Sequence, residues 1–361
     1  MKILFYTDTP GVGGAEKQML VLAKHLSLKG HKMSLAYGGY SKVRHMHEDF
    51  KPWCEEIYVL PTIHKHDFRH YFRLREILTH GKFDLIHIHL WNPGAGRYAF
   101  FAARHANVPV VTTEHDPFEL TGIKKWIKQK CLGLTAQTIA VSQENFRLLG
   151  ECYKIPEEQL SLAQNGIEVD RFVDNIDKAD LPVTEGDIVV TCIAELHPRK
   201  GYKYLLEAFQ KLQLETPRLH LILVGTGPAE KELREKYGDL PNVHFLGWRN
   251  DIPQILKASD IFILPSLREA FGLTVLEAMA SGVIAIATNN GGTADIIENG
   301  KTGYLIPPGN IEKIIETIYT ILQNPDQKRD IEKAAIERVQ SEFTASKMAT
   351  RTMQVYQKIR V

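Results

Sequence analysis

The sequence contains few cysteines and no long hydrophobic segment. Its four cysteines are scattered over 361 residues without a Cys-x-x-Cys pair, which argues against a zinc ribbon and a redox dithiol. No apolar run approaches the roughly 20 residues of a membrane-spanning helix, and the apolar N-terminal run is too short for a signal peptide. We therefore expect a cytoplasmic protein with reduced thiols that is at most bound to a membrane surface.

A large net charge and several common motifs are also missing. The formal net charge is +1, so no overall field favours nucleic acid as a partner. Gly-x-Gly-x-x-Gly does not occur, and the glycine-rich turn after the first predicted strand lacks Gly-Lys-Ser/Thr, which disfavours a Rossmann dehydrogenase and a P-loop protein. There is no Asp-x-Asp motif. Three His-x-His pairs have no acidic residue at ligand spacing, so we expect no metal site: His45/His47, His64/His66 and His87/His89.

Short apolar runs that alternate with longer amphipathic segments indicate the fold class. Because both faces of these runs are apolar, they predict buried parallel strands, and the alternation predicts doubly wound α/β sheets. The chain length suits two such domains. The predicted strands are residues 3–6, 33–37, 85–89, 108–113, 138–141, 188–193, 219–224, 243–246, 261–264, 283–287 and 304–306.

The strand and helix pattern pauses in an acidic stretch, which we interpret as an interdomain linker. The predicted organisation is an N-terminal domain at 1–167, a linker at 168–187, a second domain at 188–343 and a C-terminal helix at 344–361. Pro325 and the pair Phe343-Thr344 are expected to divide the helical segment 310–361 into three pieces.

Two segments have the composition of phosphate-binding turns. Gly13 and Gly14 follow the first predicted strand and open a helix, so backbone N–H groups there could approach an anion, although a plain tight turn explains them equally well.

In the segment 259–280, a strand is followed by a loop with Glu269 and a helix that starts near Gly272 and carries Glu277. The two carboxylates could accept hydrogen bonds from vicinal hydroxyls of a sugar and a ribose. The N–H groups of Phe271, Gly272 and Leu273 would face a diphosphate.

The segment around Glu269 resembles the Glu-x7-Glu region of retaining GT-B glycosyltransferases, the glycosyltransferase family four group. The resemblance extends over nearly the whole chain and rests on pieces that occur in the family's order. These are 13–16, 84–89, 112–116, 141–142, 165–167, 198–201, 224–228, 282–292 and 300–309. The resemblance implies a GT-B fold, in which two Rossmann-like doubly wound parallel-sheet domains face a cleft. It also implies that the first domain presents the acceptor, that the second binds the nucleotide sugar, and that the helix at 344–361 crosses back to the first domain.

The resemblance also implies residue roles. Glu269 and His115 would contact the donor sugar, Glu277 the ribose, and Lys200 with Arg199 the diphosphate. The catalytic set would be His115, Lys200 and Glu269. The donor-binding set would be Gly13, Gly14, Arg199, Lys200, Gly225, Glu269, Ala270, Phe271, Gly272, Leu273 and Glu277. One position departs from the family, because Glu195 stands where many members carry a phosphate-binding arginine; Arg199 could supply the missing charge.

The implied reaction is a metal-independent, cofactor-free transfer, with retention, from a UDP- or GDP-sugar to a hydroxyl of a glycan or lipid-linked acceptor. Surface polysaccharide or glycoconjugate synthesis would use such a reaction. Two alternatives remain open: a GT-B nucleotide-sugar 2-epimerase, and a non-catalytic sugar-nucleotide-binding subunit of a glycosylation complex. Glu269, Glu277 and Lys200 argue against both, whereas Glu195 keeps the second one open.

The segment 122–130 has the pattern of a small basic amphipathic helix. Ile123, Trp126 and Ile127 fall at helical spacing beside four lysines, Lys124, Lys125, Lys128 and Lys130. Such helices bind anionic lipid surfaces, but an ordinary helix that packs its apolar face and exposes its lysines explains the pattern as well.

Overall fold

The computed structural model describes residues 1–62, 67–173 and 176–359. These residues form two compact units, one of Met1–Gly166 with Ala345–Val361 and the other of Ile167–Thr344. The pair His64/His66 and the last two residues of the predicted C-terminal helix lie outside the described residues.

The first unit contains a parallel sheet of seven strands in the order β3-β2-β1-β4-β5-β6-β7. Every neighbouring pair runs parallel, so all strands end at the same edge. The strands are β1 Lys2–Thr7, β2 Lys32–Gly38, β3 Glu56–Leu60, β4 Leu85–Leu90, β5 Val110–Glu114, β6 Gln137–Ala140 and β7 Leu160–Leu162.

Helices cover both faces of this sheet. One apolar cluster packs α1 (Gly14–Leu28) and α15 (Ala345–Lys358) against β1 and β2. A second packs α3 (Arg69–Gly81), α4 (Arg97–Ala106) and α5 (Gly122–Leu132) against the opposite face. The helices of the first unit are α1 Gly14–Leu28, α2 Met46–Phe50, α3 Arg69–Gly81, α4 Arg97–Ala106, α5 Gly122–Leu132, α6 Gln143–Tyr153 and α15 Ala345–Lys358.

The second unit contains a parallel sheet of six strands in the order β10-β9-β8-β11-β12-β13. The strands are β8 Ile188–Ile193, β9 Leu219–Val224, β10 Val243–Gly247, β11 Ile261–Leu264, β12 Ile284–Thr288 and β13 Tyr304–Ile306. The helices are α7 Asp170–Val173, α8 Tyr202–Glu215, α9 Glu230–Tyr237, α10 Ile252–Lys257, α11 Leu273–Ala280, α12 Thr293–Ile296, α13 Ile311–Gln323 and α14 Pro325–Glu342.

All eleven predicted strands are confirmed, and the helical segment at the end of the chain is divided near Pro325 and Phe343 as expected. The sequence reading missed β3 and β7, which are the two edge strands of the first sheet. An edge strand is covered less completely than a central one, so its sequence need not be apolar throughout. Glu56 and Val59 of β3 are exposed accordingly.

The acidic segment 168–187, predicted to be a linker, is part of the second unit in the structure. Phe172 and Leu181 are buried, and the Ala179 N–H donates to the carbonyl of Gln254. The described part of this segment is therefore held by apolar and backbone contacts, which composition alone does not reveal.

Candidate active site

The strand order of the second unit reverses between β8 and β11, and the loops after these two strands carry the predicted site residues. Neighbouring parallel strands whose connections leave in opposite directions create a crevice at their carboxyl ends, where α/β proteins bind ligands. The β8 loop ends in a short turn, Pro198–Lys200, and Gly201 follows it with φ of 72°. A Cβ at Gly201 would lie 2.0 Å from the carbonyl oxygen of Pro265, so glycine allows the two loops to touch.

Lys200 and Glu269 form an ion pair at this point, although the sequence reading gave them separate roles. Lys200 Nζ lies 2.5 Å from Glu269 Oε2, and the side chains are 11% and 10% exposed. The Ser266 hydroxyl donates to the same carboxylate oxygen at 3.0 Å. Two donors therefore hold the carboxylate, and the carboxylate in turn fixes the position of the lysine cation.

The last residue of β12 and the segment that follows it fix the loop that carries Glu269. The Thr288 hydroxyl and the Asn290 amide both donate to the carbonyl oxygen of Ser266, at 2.6 and 2.8 Å. Gly291 has φ of 55°, and a Cβ there would lie 1.6 Å from the carbonyl oxygen of Glu269. The Glu269 backbone therefore occupies space that only a glycine at 291 leaves open.

Helix α11 begins immediately after this loop, as the sequence reading expected. Gly272 precedes it with φ of 100° and has no side chain to cap its first turn, so backbone N–H groups and the helix dipole favour an anion there. Phe271 is buried, while Ala270, Leu273 and Glu277 are partly exposed. The carboxylate of Glu277 lies one turn inside the helix.

Gly225 and Arg199, two further predicted donor-binding residues, lie in the loops that follow β9 and β8. Gly225 has φ of 137°, and a Cβ there would lie 2.0 Å from the carbonyl oxygen of Ala194, so packing alone requires glycine. Arg199 Nη2 lies 3.8 Å from Glu195 Oε2; the Arg199 side chain is partly exposed and that of Glu195 is exposed. Glu195, which stands where many family members carry arginine, therefore partly neutralises Arg199, the residue that could supply the missing positive charge.

In the first unit, Gly13 and Gly14 form the turn between β1 and α1. Gly13 is exposed and donates its N–H to the carboxylate of Glu16 at 2.9 Å. Glu16 is buried, and this burial raises its pKa. One of the N–H groups proposed for an anion is thus bonded within the protein, while Gly14 begins the helix.

His115 follows the last residue of β5 and continues the ladder by donating its N–H to the carbonyl of Leu90 at 3.0 Å. Its ring lies beside that of His89, which belongs to β4, and both rings are buried. Burial lowers the pKa of His115 to about 4 and that of His89 well below its usual range. His115 is therefore neutral at physiological pH, so it can offer a hydrogen bond but not a positive charge.

The buried histidines predict a direction for the pH dependence of stability. Burial lowers the pKa of His87 to about 3 and also lowers that of His89 and His115, so below pH 6.5 the unfolded chain binds more protons than the folded one. Each histidine that stays neutral in the folded protein therefore lowers the free energy of unfolding by about 1.4 kcal/mol for every pH unit by which the pH falls. Glu16 and Glu114 act oppositely at lower pH, because burial raises their pKa. We expect the melting temperature to fall from pH 6.5 towards 4, and less steeply in His89→Asn. Equal slopes for both proteins would contradict this.

One residue of the predicted lipid-binding helix faces inward, which corrects the sequence reading. Lys128 of α5 is buried and forms an ion pair with the fully buried Glu114, the last residue of β5. Because Cys131 and Leu132 are buried as well, the side of α5 that packs on the sheet differs from the predicted apolar face. Lys128 therefore cannot contact a membrane.

The predicted apolar face of α5 lies largely at the surface. Ile123 is 68% exposed and Trp126 is 54% exposed. Lys124 is exposed, Lys130 lies over the Trp126 ring at 5.7 Å, and Lys125 pairs with Glu119 at 2.7 Å. None of the helices in the described ranges has the length and hydropathy needed to cross a membrane.

Several residues near the carboxyl ends of the strands in the two sheets were not predicted as site residues from the sequence. Asp8 accepts hydrogen bonds from the Trp91 indole and the Gly96 N–H, and thereby ties the end of β1 to the loop after β4. Ser266, Asn290 and Glu114 belong to this group too. Their roles depend on partners that are distant in sequence, so no local signal identifies them.

Within the described ranges, no cluster of three histidine, cysteine or carboxylate residues is placed to hold a metal.

Two family models match successive parts of the chain. Residues 12–171 match the family model described as Glycosyltransferase Family 4, and residues 173–338 match the model described as Glycosyl transferases group 1. The chain is 32% identical to an Escherichia coli UDP-Gal:alpha-D-GlcNAc-diphosphoundecaprenol alpha-1,3-galactosyltransferase over 71% of this chain and 70% of that protein.

Two further proteins extend the comparison. A phosphatidyl-myo-inositol mannosyltransferase of Mycolicibacterium smegmatis is 28% identical over 80% of this chain and 74% of its own. The crystal structure of Anabaena HepE in complex with UDP has a TM-score of 0.82 at 20% identity and covers 98% of this chain and 99% of that one. The chain belongs to glycosyltransferase family 4, and it is a glycosyltransferase with the GT-B fold.

Proposed function

We propose that this glycosyltransferase uses a UDP-sugar as donor and a lipid-linked glycan as acceptor, and that it retains the anomeric configuration. The observation that carries the proposal is the Lys200–Glu269 pair at the strand-order switch of the second unit. There the cation can neutralise a diphosphate leaving group and the carboxylate can hold sugar hydroxyls. As the resemblance implies, Glu277 would bind the ribose and His115 the donor sugar.

The surroundings of Glu269 support a front-face reaction. A carboxylate that already accepts from Lys200 and Ser266 is a weak nucleophile. In the proposed step the bond from the anomeric carbon to the phosphate oxygen breaks, and the acceptor oxygen bonds to the same face of that carbon. The leaving phosphate takes the proton of the acceptor hydroxyl. Lys200 stabilises the negative charge that develops, without a metal ion.

The choice of UDP and of a lipid-linked acceptor rests on the relatives. The name of the E. coli relative contains UDP-Gal and a diphosphoundecaprenol acceptor, the M. smegmatis relative is a phosphatidylinositol mannosyltransferase, and Anabaena HepE was crystallised with UDP. GDP-sugars stay as the alternative donor class. With a lipid-linked acceptor, the enzyme would work at the cytoplasmic face of the membrane in surface glycan synthesis.

A screen of donors tests the proposed function. The enzyme is incubated with UDP-, GDP- and ADP-sugars and membrane extract, with and without EDTA, and nucleotide release and glycolipid formation are measured. We expect transfer from a UDP-sugar, unchanged by EDTA, with an α-linked product from an α-linked donor. Transfer only from a GDP- or ADP-sugar, loss of activity with EDTA, or an inverted product would each refute the corresponding part of the proposal.

The surface of the first unit supports membrane attachment. Besides Ile123 and Trp126 on α5, the neighbouring helices α3 and α4 expose aromatic rings: Phe72 is 58% exposed and Phe101 is 41% exposed. All three helices cover the same face of the sheet. Lys124 and Lys130 lie on α5 near its exposed apolar side chains. This combination suits an anionic lipid surface, into which aromatic rings insert while lysines contact headgroups.

We predict weak, salt-sensitive binding of the protein to anionic liposomes. Each lysine near such a surface contributes about 1 kcal/mol, so Lys124, Lys125 and Lys130 together hold the protein only transiently. High salt should release it, because the Debye length falls to about 3 Å at 1 M. Co-sedimentation should decrease in the triple Lys→Gln variant and in Trp126→Ala.

A matched control separates this surface from total charge. Replacing three exposed lysines of the second unit by glutamine changes the net charge equally; the set is Lys211, Lys231 and Lys236. The control variant should sediment like wild type. Equal sedimentation of both triple variants would leave α5 as an ordinary surface helix.

A further inference from the structure

Three histidines form a buried stack in the first unit that ends at His115. The rings of His87 and His89, both on β4, have centroids 4.2 Å apart and lie 30° from parallel. The rings of His89 and His115 have centroids 5.4 Å apart and lie 19° from parallel. Phe5 of β1 packs against His87 and His89 from the side. The stack therefore has little freedom to rotate.

His87 is fully bonded at the inner end of the stack. Its Nδ1 lies 2.6 Å from the hydroxyl of Tyr356, and its Nε2 lies 2.7 Å from the hydroxyl of Thr113. Because a hydroxyl can donate or accept, these partners satisfy either tautomer of His87. This residue anchors the stack but does not set the tautomers of the other rings.

His89 and His115 determine each other's protonation. His89 Nδ1 lies 3.1 Å from His115 Nε2, so one of these two nitrogens carries the proton between them. The other nitrogen of His89, Nε2, is buried and has no hydrogen-bond partner among the described residues. Both rings are neutral, because burial lowers the pKa of each. Each ring therefore has one N–H, and the proton position on His89 fixes which nitrogen of His115 is protonated.

We infer that His89 is a positioning residue that holds the ring plane of His115 and keeps it in one tautomer. His115 Nδ1 is the ring nitrogen that this contact leaves for substrate, so His89 decides whether it donates to a sugar hydroxyl or accepts from one. The inference deepens the proposed function, on which it rests for the role of His115. The sequence analysis considered the pair His87/His89 as a metal motif and as part of a family-like strand, and gave His89 no role toward His115.

Conservative variants separate positioning from packing. The amide of asparagine can replace Nδ1 of histidine, whereas the amide of glutamine reaches the position of Nε2. Asparagine at position 89 can therefore keep the contact with His115, and glutamine cannot. If His89 only fills space, His89→Gln should be the milder change because glutamine is closer in volume. If His89 positions His115, His89→Asn should be milder, and its kcat should exceed that of His89→Gln by about tenfold or more.

The deciding experiment is NMR of histidine-¹⁵N-labelled protein, which needs no substrate. The His115 signals are identified by their loss in His115→Ala, and His105→Gln, at an exposed site, is the control. We expect the ¹⁵N shifts of His115 to show one tautomer in wild type and His89→Asn, and an average of two tautomers in His89→Gln. A tautomer mixture in wild type, or His115 signals that do not differ between the two His89 variants, would overturn the inference. Because this readout is independent of turnover, failure to find any donor would refute the proposed function without deciding the role of His89.

Discussion

Replacement of Lys200 by alanine is expected to lower kcat by roughly 100- to 1000-fold, the cost of losing one donor to developing charge in a protected site. The Lys200 side chain is 11% exposed and its Nζ is held 2.5 Å from Glu269 Oε2, so the cation is already oriented when a donor binds. In the proposed mechanism, this preorganised charge stabilises the leaving diphosphate without reorganisation at the moment of reaction. The measurement is transfer rate at saturating donor and acceptor.

The matched control is Lys203→Ala. Lys203 lies in the first turn of α8, three residues after Lys200, and its side chain is exposed. Its replacement should leave kcat and the melting temperature near wild type. Near-normal turnover of Lys200→Ala, with a fold that circular dichroism shows to be intact, would remove Lys200 from the mechanism.

Gly291→Ala should cause a second large loss of activity, although residue 291 is given no contact with substrate. The added Cβ would lie 1.6 Å from the carbonyl oxygen of Glu269, so the loop that carries Glu269 has to move. A displacement of about 1 Å at a catalytic group reduces the rate by about 100-fold. We expect a fall in kcat of this size together with a lower melting temperature.

Gly300→Ala provides the control for backbone strain alone. Gly300 has φ of 74°, yet a Cβ there would meet no atom within 4 Å. This substitution should cost about 1 kcal/mol in unfolding free energy through its positive φ and leave kcat nearly unchanged. If both variants lost activity equally, the loss could not be assigned to the contact between Gly291 and Glu269.

The central strands were predictable from sequence because both of their faces are buried. Residues 188–193, for example, are apolar except for Thr191 and Cys192, and the side chains of these two residues are buried as well. The edge strand β7 has only three residues and contains Ser161, so it gives no such signal. Edge strands depend on neighbours that a local pattern does not specify.

The positions of the candidate site residues near the ends of strands could be predicted, because these residues lie in short motifs that follow apolar runs. Their roles in binding and catalysis stay predictions. The contact of Lys200 with Glu269 could not be predicted, because it joins loops 69 residues apart. Lys128 illustrates a second kind of contact that the sequence pattern does not reveal. Helical spacing indicates which side chains share a face, but the buried Glu114 on β5 determines that Lys128 faces inward.

The central claim is that Lys200 recognises the diphosphate of a UDP donor, and the most direct test is calorimetric titration of UDP and UMP into wild type and Lys200→Ala. A charge-assisted contact to the second phosphate is worth about 1.5–3 kcal/mol. Wild type should therefore bind UDP at least about tenfold more tightly than UMP, since 1.4 kcal/mol is a factor of ten. In Lys200→Ala this ratio should fall towards one. An unchanged ratio of the two affinities in the variant would contradict the account.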